Sequence, residues 1–181
     1  MRPDELRRRF PALMKHFSDT DGATLLEALE PRHFEEGETL TRYREHADTL
    51  HLIVSGSVAI HVLQQGENLV LGQAVAGCVV GEVGLVEPGP ASASLEAREE
   101  VDTLALTHER FERLCREAPS AASSLLRAIS TELVGRLRNS AHDILRRVDD
   151  HAWMRLRARE DRGGWLDRIA ALVRGTAGSA T

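Results

Sequence analysis

The sequence predicts an α+β fold: a small antiparallel β-barrel, roll or sandwich, flanked by N-terminal helices and followed by a long C-terminal helix. Three observations lead there. Between about residues 32 and 106, short alternating apolar runs are separated by glycine-bearing turns, the pattern of small antiparallel barrels, rolls and sandwiches. Ahead of that stretch, leucines recur at helical spacing among charged residues. After residue 107 apolar residues again recur in steps of three and four, now over many turns.

Taken in order, residues 4–16 read as helical, with Pro11 opening a new first turn. Asp19 or Asp21 is a candidate cap for the next helix, whose apolar face is Leu25, Leu26 and Leu29 and which Pro31 ends. Leu50, Leu52 and Val54 alternate as a strand, Ser55-Gly56 turns the chain, and residues 58–62 form the next strand. Residues 64–67 make a hairpin, residues 69–71 return, and residues 75–77 turn again. Ala91 to Leu95 alternates, and Val101 to Leu106 is the last strand. Thr107 is placed to cap a helix carrying Phe111 and Leu114. Pro119 starts a longer helix with a stripe of Leu126, Ile129, Leu133, Leu137, Ala141, Ile144 and Val148. Gly163-Gly164 breaks it, and Trp165, Leu166, Ile169 and Val173 mark a short amphipathic helix before a polar tail. The domains expected are an N-terminal helical segment at 1–19, the roll at 20–118, the long helix at 119–162, and the short helix with its tail at 163–181.

Composition excludes several classes. With 42% hydrophobic and 28% charged residues the 181-residue chain is globular. No apolar run reaches the roughly 20 residues of a membrane helix, and the basic N-terminus is followed by no apolar core of a secretory signal. A cytoplasmic protein that does not insert into membranes is expected. Cys78 and Cys115 are far apart, and the eight histidines show no metal-ligand spacing. No nucleophile elbow, phosphate loop or catalytic carboxylate pair is visible, so an enzyme is not expected. Charge is uneven. Residues 18–118 hold 7 basic against 19 acidic residues, a net −12, whereas residues 1–17 and 119–181 carry +3 and +4. That field disfavours an anionic ligand on the roll unless a local site overrides it.

The segment most suggestive of a binding site is residues 77–97, GCVVGEVGLVEPGPASASLEA. Gly81-Glu82 opens one or two helical turns, Pro88-Gly89-Pro90 closes them, and a strand follows. Gly81 permits close backbone approach, the amides of the turn that includes Val83 suit an anion, and Glu82 can accept from a ribose hydroxyl. Stabilisation of the short helix by the Glu82 carboxylate is an equal reading.

These residues resemble the phosphate-binding cassette of the cyclic-nucleotide-binding domain family of CRP/CAP-like β-rolls, with Gly77, Gly81, Glu82, Leu85, Pro90, Ser92 and Ala93 matching its pattern. The resemblance extends back through Phe34-Glu-Glu-Gly37-Glu-Thr-Leu and Asp48-Thr-Leu-His-Leu-Ile-Val-Ser-Gly56-Ser-Val, and forward through Thr107-His-Glu-Arg-Phe111, covering about residues 20–140. It implies an antiparallel β-roll of the double-stranded β-helix or jelly-roll type, and a ligand site at Gly81, Glu82, Val83, Ala91 and Ser92. It also exposes a departure: the family's phosphate-pairing arginine follows the cassette proline, and here that position is Ala91. Loss of a charge-assisted contact worth about 1.5–3 kcal/mol lowers affinity roughly ten- to a hundredfold. Arg44 stands where the family usually has glycine, and Arg44, Arg98 and Arg127 are candidates to replace the missing charge.

Two function classes follow. In the first, the protein is a regulatory interaction module that has kept the roll, lost tight cyclic-nucleotide binding and docks on a protein partner. In the second, it is a cyclic-nucleotide sensor whose ligand moves the C-terminal helix. No resident cofactor is expected in the first reading. Leu126, Ile129, Leu133, Leu137, Ile144 and Val148 are the candidate seam of a homodimer. Trp153, Leu156, Trp165 and Ile169 are a candidate docking face for a partner, with folding back over the long helix the alternative. The arginines of the C-terminal region alternate with acidic residues, which reads as a solvated face. After residue 140 only about forty residues remain, too few for the helix-turn-helix domain of the family's transcription regulators, so nucleic-acid binding is not expected. A weaker third possibility is a detached relative of the domains of this type that are fused to membrane transporters.

Overall fold

Proline placement sets the N-terminal helices. In the computed structural model, which describes residues 1–64 and 67–147 (the side chains of 64 and 139–147 excepted), α1 (Pro3–Arg9) and α2 (Pro11–Met14) each begin on a proline. The missing N–H would have no acceptor in a first turn. α3 (Asp19–Ala28) is capped by Ser18, whose hydroxyl oxygen accepts from the Asp21 N–H at 3.1 Å. Asp19 and Asp21, the caps expected from the sequence, lie inside the first turn instead, where carboxylates favour the positive end of the helix. Leu6, Phe10, Leu13, Met14, Phe17 and Leu25 are buried. Arg7 ties the helices together by donating to the carbonyls of Met14 (3.0 Å) and Phe17 (3.2 Å).

The strands follow as β1 (Glu30–Phe34), β2 (Thr39–Thr41), β3 (His46–Ala47), β4 (Thr49–Ser55), β5 (Ser57–Gln64), β6 (Glu67–Val75) and β7 (Val79–Val80). After α4 (Glu82–Val86) come β8 (Gly89–Pro90), β9 (Ser94–Ala97) and β10 (Val101–Thr107). One sheet has the order β1-β10-β4-β7, the second β2-β9-β5-β6, and β3 pairs with β8 apart from them. The pairings are antiparallel. Pro31 does not end α3. It sits in β1 opposite Leu104, on an edge strand where the missing donor is tolerated. The alternation read over Ala91–Leu95 is also displaced, because residues 92 and 93 bend and the strand begins only at Ser94.

The core lies between the two sheets. Ile53, Val80 and Val101 from one meet Val58, Ala74, Leu95 and Ala97 from the other, with Phe34, Leu40, Ile60 and Cys78 packed against them. Each fully buried aliphatic side chain of this kind stabilises by about 1.5–3 kcal/mol. His51 of β4 is buried here, with its ring edge-on to Phe34 at 5.8 Å and its Nδ1 at 3.3 Å from Thr103 Oγ1. Burial holds its pKa down at about 4, so the ring is neutral at neutral pH. β6 runs well beyond the residues 69–71 expected for it. It exposes Leu69, Val70 and Leu71 at the edge of its sheet.

α5 (His108–Glu117) is capped by Thr107, as its sequence indicates, and buries Phe111 and Leu114. Its Arg110 donates to the Ala28 carbonyl at 3.0 Å and pairs with Glu30, joining α5 to the end of α3. α6 runs from Pro119 to Arg147. The chain divides into units at Glu132/Leu133. In the first unit α6 buries Ala121, Ala122, Leu125, Ala128 and Ile129, and Ser120 Oγ donates to Asp21 Oδ2 at 3.0 Å. In the second, Val134 and Leu137 are exposed. Among the described residues no helix is long and apolar enough to cross a membrane.

Candidate functional site

The candidate cassette is built on β7, α4 and the segment leading to β9. Gly81 is the N-cap of α4 in a left-handed conformation (φ 84°). A Cβ there would stand 2.2 Å from the Thr49 carbonyl oxygen, so β4 fixes this glycine whether or not a ligand binds. Gly84 likewise leaves room for the Ala47 carbonyl, which a Cβ would approach at 2.8 Å. Glu82 opens α4 and is half-buried, Val83 is exposed, and Leu85 is fully buried beneath them.

Ala91 is half-buried and Ser92 exposed. The backbone of Ala91 is fully engaged: its N–H donates to the Glu45 carbonyl (2.8 Å) and its carbonyl accepts from the Arg44 N–H (2.9 Å). Three residues on, Ser94 Oγ accepts from the Tyr43 N–H at 3.0 Å. With the β3–β8 pairing of His46 to Pro90 and Ala47 to Gly89, these bonds staple the turn Arg42-Tyr-Arg-Glu45 along the segment expected to hold a phosphate-pairing arginine. Residues 91–94, Ala-Ser-Ala-Ser, carry no cation.

The three candidate replacements are placed differently. Arg98 pairs with Glu96 at 3.8 Å and its backbone N–H donates to the Ser57 carbonyl. Arg127 is exposed on α6. Arg44 lies in the stapled turn itself, at φ 66°, the one non-glycine residue at positive φ among those described.

α4 is also tied to the helix that leaves the roll. His108, the first residue of α5, lies with Nδ1 2.7 Å from the Leu85 carbonyl oxygen, and its backbone N–H donates to the Asp48 carbonyl at 2.7 Å. A carbonyl only accepts, so Nδ1 carries the proton. Sequence reasoning does not single out His108; its position after a helix cap gives no sign of this contact.

The expected dimer seam divides. Leu126 is 37% and Leu137 70% exposed, and Leu133 is half-buried, whereas Ile129 is 4% exposed and belongs to the buried core. The inward face is Leu125, Ala128 and Ile129; Leu125 lies about 100° around the helix from Leu126. The side chain of Ile144 and all of Val148, Trp153, Leu156, Trp165 and Ile169 lie outside the described residues, as does the 163–181 helix.

Elsewhere, His33 Nδ1 and Ser55 Oγ both bond Asp102, each at 2.8 Å. The hydrogen bond to Asp102 holds the His33 pKa above its usual value. Both groups turn to the carboxylate rather than to each other, so no nucleophile–base pair forms. Among the described residues no cluster of His, Cys, Asp and Glu is arranged to hold a metal ion.

Comparison with known proteins agrees with this architecture. The family model for the cyclic nucleotide-binding domain matches residues 31–118. The cAMP-activated global transcriptional regulator CRP of Pasteurella multocida is 30% identical over 108 residues, 59% of this chain and 50% of that protein. The chain thus spans about half the length of that relative. The N-terminal domain of a transcriptional regulator from Streptomyces coelicolor superposes with a TM-score of 0.63 at 30% identity, covering 76% of this chain and 94% of that one. A cyclic nucleotide-binding domain from Methylobacillus flagellatus superposes with a TM-score of 0.72 at 20% identity, covering 80% and 85%, a likeness of fold. Residues 31–118 therefore form a CRP/CAP-like domain of the cyclic-nucleotide-binding family.

Proposed function

We propose that this protein is a non-enzymatic, cytoplasmic regulatory module whose roll has lost tight cyclic-nucleotide binding and which docks on a protein partner through its helices. The observation that carries the reading is the segment Ala91-Ser-Ala-Ser94: it holds no cation, and the backbone of Ala91 is bonded to the neighbouring turn. A phosphate seated there would be desolvated without a charged partner in a domain of net negative charge. The Pasteurella multocida and Streptomyces coelicolor relatives are transcriptional regulators, which supports regulation as the role.

The helices supply the means. Leu126, Leu133 and Leu137 recur at seven and four residues, and the first and last stay exposed. That is the spacing of a helix–helix seam and supports a homodimer. Trp153, Leu156, Trp165 and Ile169 are the residues to which the docking face is assigned. Nucleic-acid binding forms no part of the proposal.

The second reading, a cyclic-nucleotide sensor, is favoured by one contact. The His108–Leu85 hydrogen bond ties α4 to α5, so a ligand on α4 would be felt by the helix beyond it. Calorimetric titration of the protein with cyclic AMP and cyclic GMP separates the two. The docking reading expects no binding heat at micromolar ligand; binding at micromolar affinity or tighter overturns it.

A further inference from the structure

β6 is the outermost strand of its sheet, bonded to β5 on one side and to no strand on the other among the described residues. Residues 67–74 make no backbone bond there outside the β5 ladder, so the N–H and C=O groups that point away from β5 stand open. Such an edge is a template for another strand, and proteins blunt it with lysine, proline, inward-pointing charge, a bulge or a covering segment. The sequence of β6, ENLVLGQAV, has no lysine and no proline. Leu69 (50%), Val70 (57%), Leu71 (57%) and Val75 (49%) are exposed along it, and Leu63 (59%) is exposed on the neighbouring strand. The one blunting device is a bulge: the register shift between Ile60 and His61 leaves Leu71 without a partner, with regular pairing on both sides of it.

Charge selects the occupant. From residue 49 to residue 81 Glu67 is the one Asp, Glu, Lys or Arg, in a roll that otherwise carries a large negative charge. A basic segment would find no carboxylate along residues 68–75, and an acidic one would be repelled by the roll. An uncharged, apolar strand fits, and the β6 of another molecule is such a strand. We infer that β6 is a self-association edge, which pairs antiparallel with β6 of a second copy about a two-fold axis at Leu71. The regular stretches on either side of the bulge then lie opposite each other: Val70 faces Gly72 of the second copy, and Glu67 faces its Val75. Glu67 therefore meets no like charge directly across the pair, and the contact uses the same patch on both molecules. Covering the five exposed side chains on both copies would hide on the order of 1,000 Å² in total, the low end for a specific interface, so the association is weak. The inference goes beyond the docking reading and stands separately from it and from the α6 seam.

The test uses the full chain carrying Leu126→Asp and Leu137→Asp, which removes the α6 seam. Its self-association is followed by sedimentation and by amide chemical shifts from tens of micromolar to about a millimolar, then repeated with Leu71→Lys or Val86→Lys added. Val86 is a similarly exposed valine on α4 (48%). The inference expects the seam-less protein to associate at the upper end of that range, with concentration-dependent shifts centred on residues 67–75. Leu71→Lys should weaken the association about tenfold or more, because two lysines would meet at the axis, while Val86→Lys leaves it unchanged. Both added lysines replace exposed residues and should leave the melting temperature where it was. A seam-less protein that stays monomeric throughout, shifts centred away from β6, or equal effects of Leu71→Lys and Val86→Lys overturn the inference. If the seam-less protein instead dimerises as tightly as the wild type and Leu71→Lys abolishes it, the edge stands and the α6 seam is refuted.

Discussion

Replacing Gly81 with alanine tests whether the cassette glycine serves the fold or a ligand. Two costs add at this position. The backbone is at φ 84°, where a Cβ costs about 1–2 kcal/mol. The new Cβ would also stand 2.2 Å from the Thr49 carbonyl oxygen, and displacing a packed strand costs about 1–3 kcal/mol more. The expected loss is about 3 kcal/mol, which lowers the melting temperature of a chain this size by roughly 6–12 °C. Gly37 is the control. It has nearly the same conformation (φ 82°) but nothing within 4 Å of its would-be Cβ. Gly37→Ala should therefore cost only the backbone part, about 1 kcal/mol or roughly 2–4 °C. Thermal unfolding followed by circular dichroism, without ligand, measures both. Equal shifts in the two variants would refute the reasoning, because the contact with β4 would then contribute nothing.

Two further outcomes concern the core and the C-terminal helix. His51 is neutral when folded, with a pKa of about 4 against an ordinary 6.5. Its stabilising effect is complete above pH 6.5 and is lost as pH falls from about 6.5 to 4, by about 3 kcal/mol in all; urea unfolding across that range should show the decline, and His51→Leu should flatten it. A decline unchanged in His51→Leu would assign the effect to other groups. Leu126→Asp combined with Leu137→Asp should convert a sedimenting dimer to a monomer without lowering the melting temperature of the roll, and a wild type that is monomeric at high concentration would rule out the seam.

Much of the fold is legible because its punctuation is chemical. Pro11 and Pro119 open helices and Thr107 caps one, as their side chains dictate locally. The cassette helix is bracketed by Gly81 and by Pro88-Gly89-Pro90. The features that escape the sequence depend on distant contacts. Periodicity finds an apolar arc on α6 but does not separate the buried side from the exposed one, so it groups Ile129 with Leu126 although Ile129 is buried with Leu125 and Leu126 is exposed. Alternation over Ala91–Leu95 looks like strand, yet the bonds from the 42–45 turn bend its first part. The absence of an arginine at position 91 is plain in the sequence. That the backbone of Arg44, far away along the chain, bonds the same residue is visible only in three dimensions.

The central claim is that the roll is intact and only its phosphate-holding charge is gone. Its most direct test is calorimetric titration of Ala91→Arg with cyclic AMP beside the wild type. The account expects the wild type to be silent at micromolar ligand and Ala91→Arg to bind, a gain of about ten- to a hundredfold or more in affinity from one restored charge-assisted contact. A wild type that binds as tightly as Ala91→Arg would contradict it.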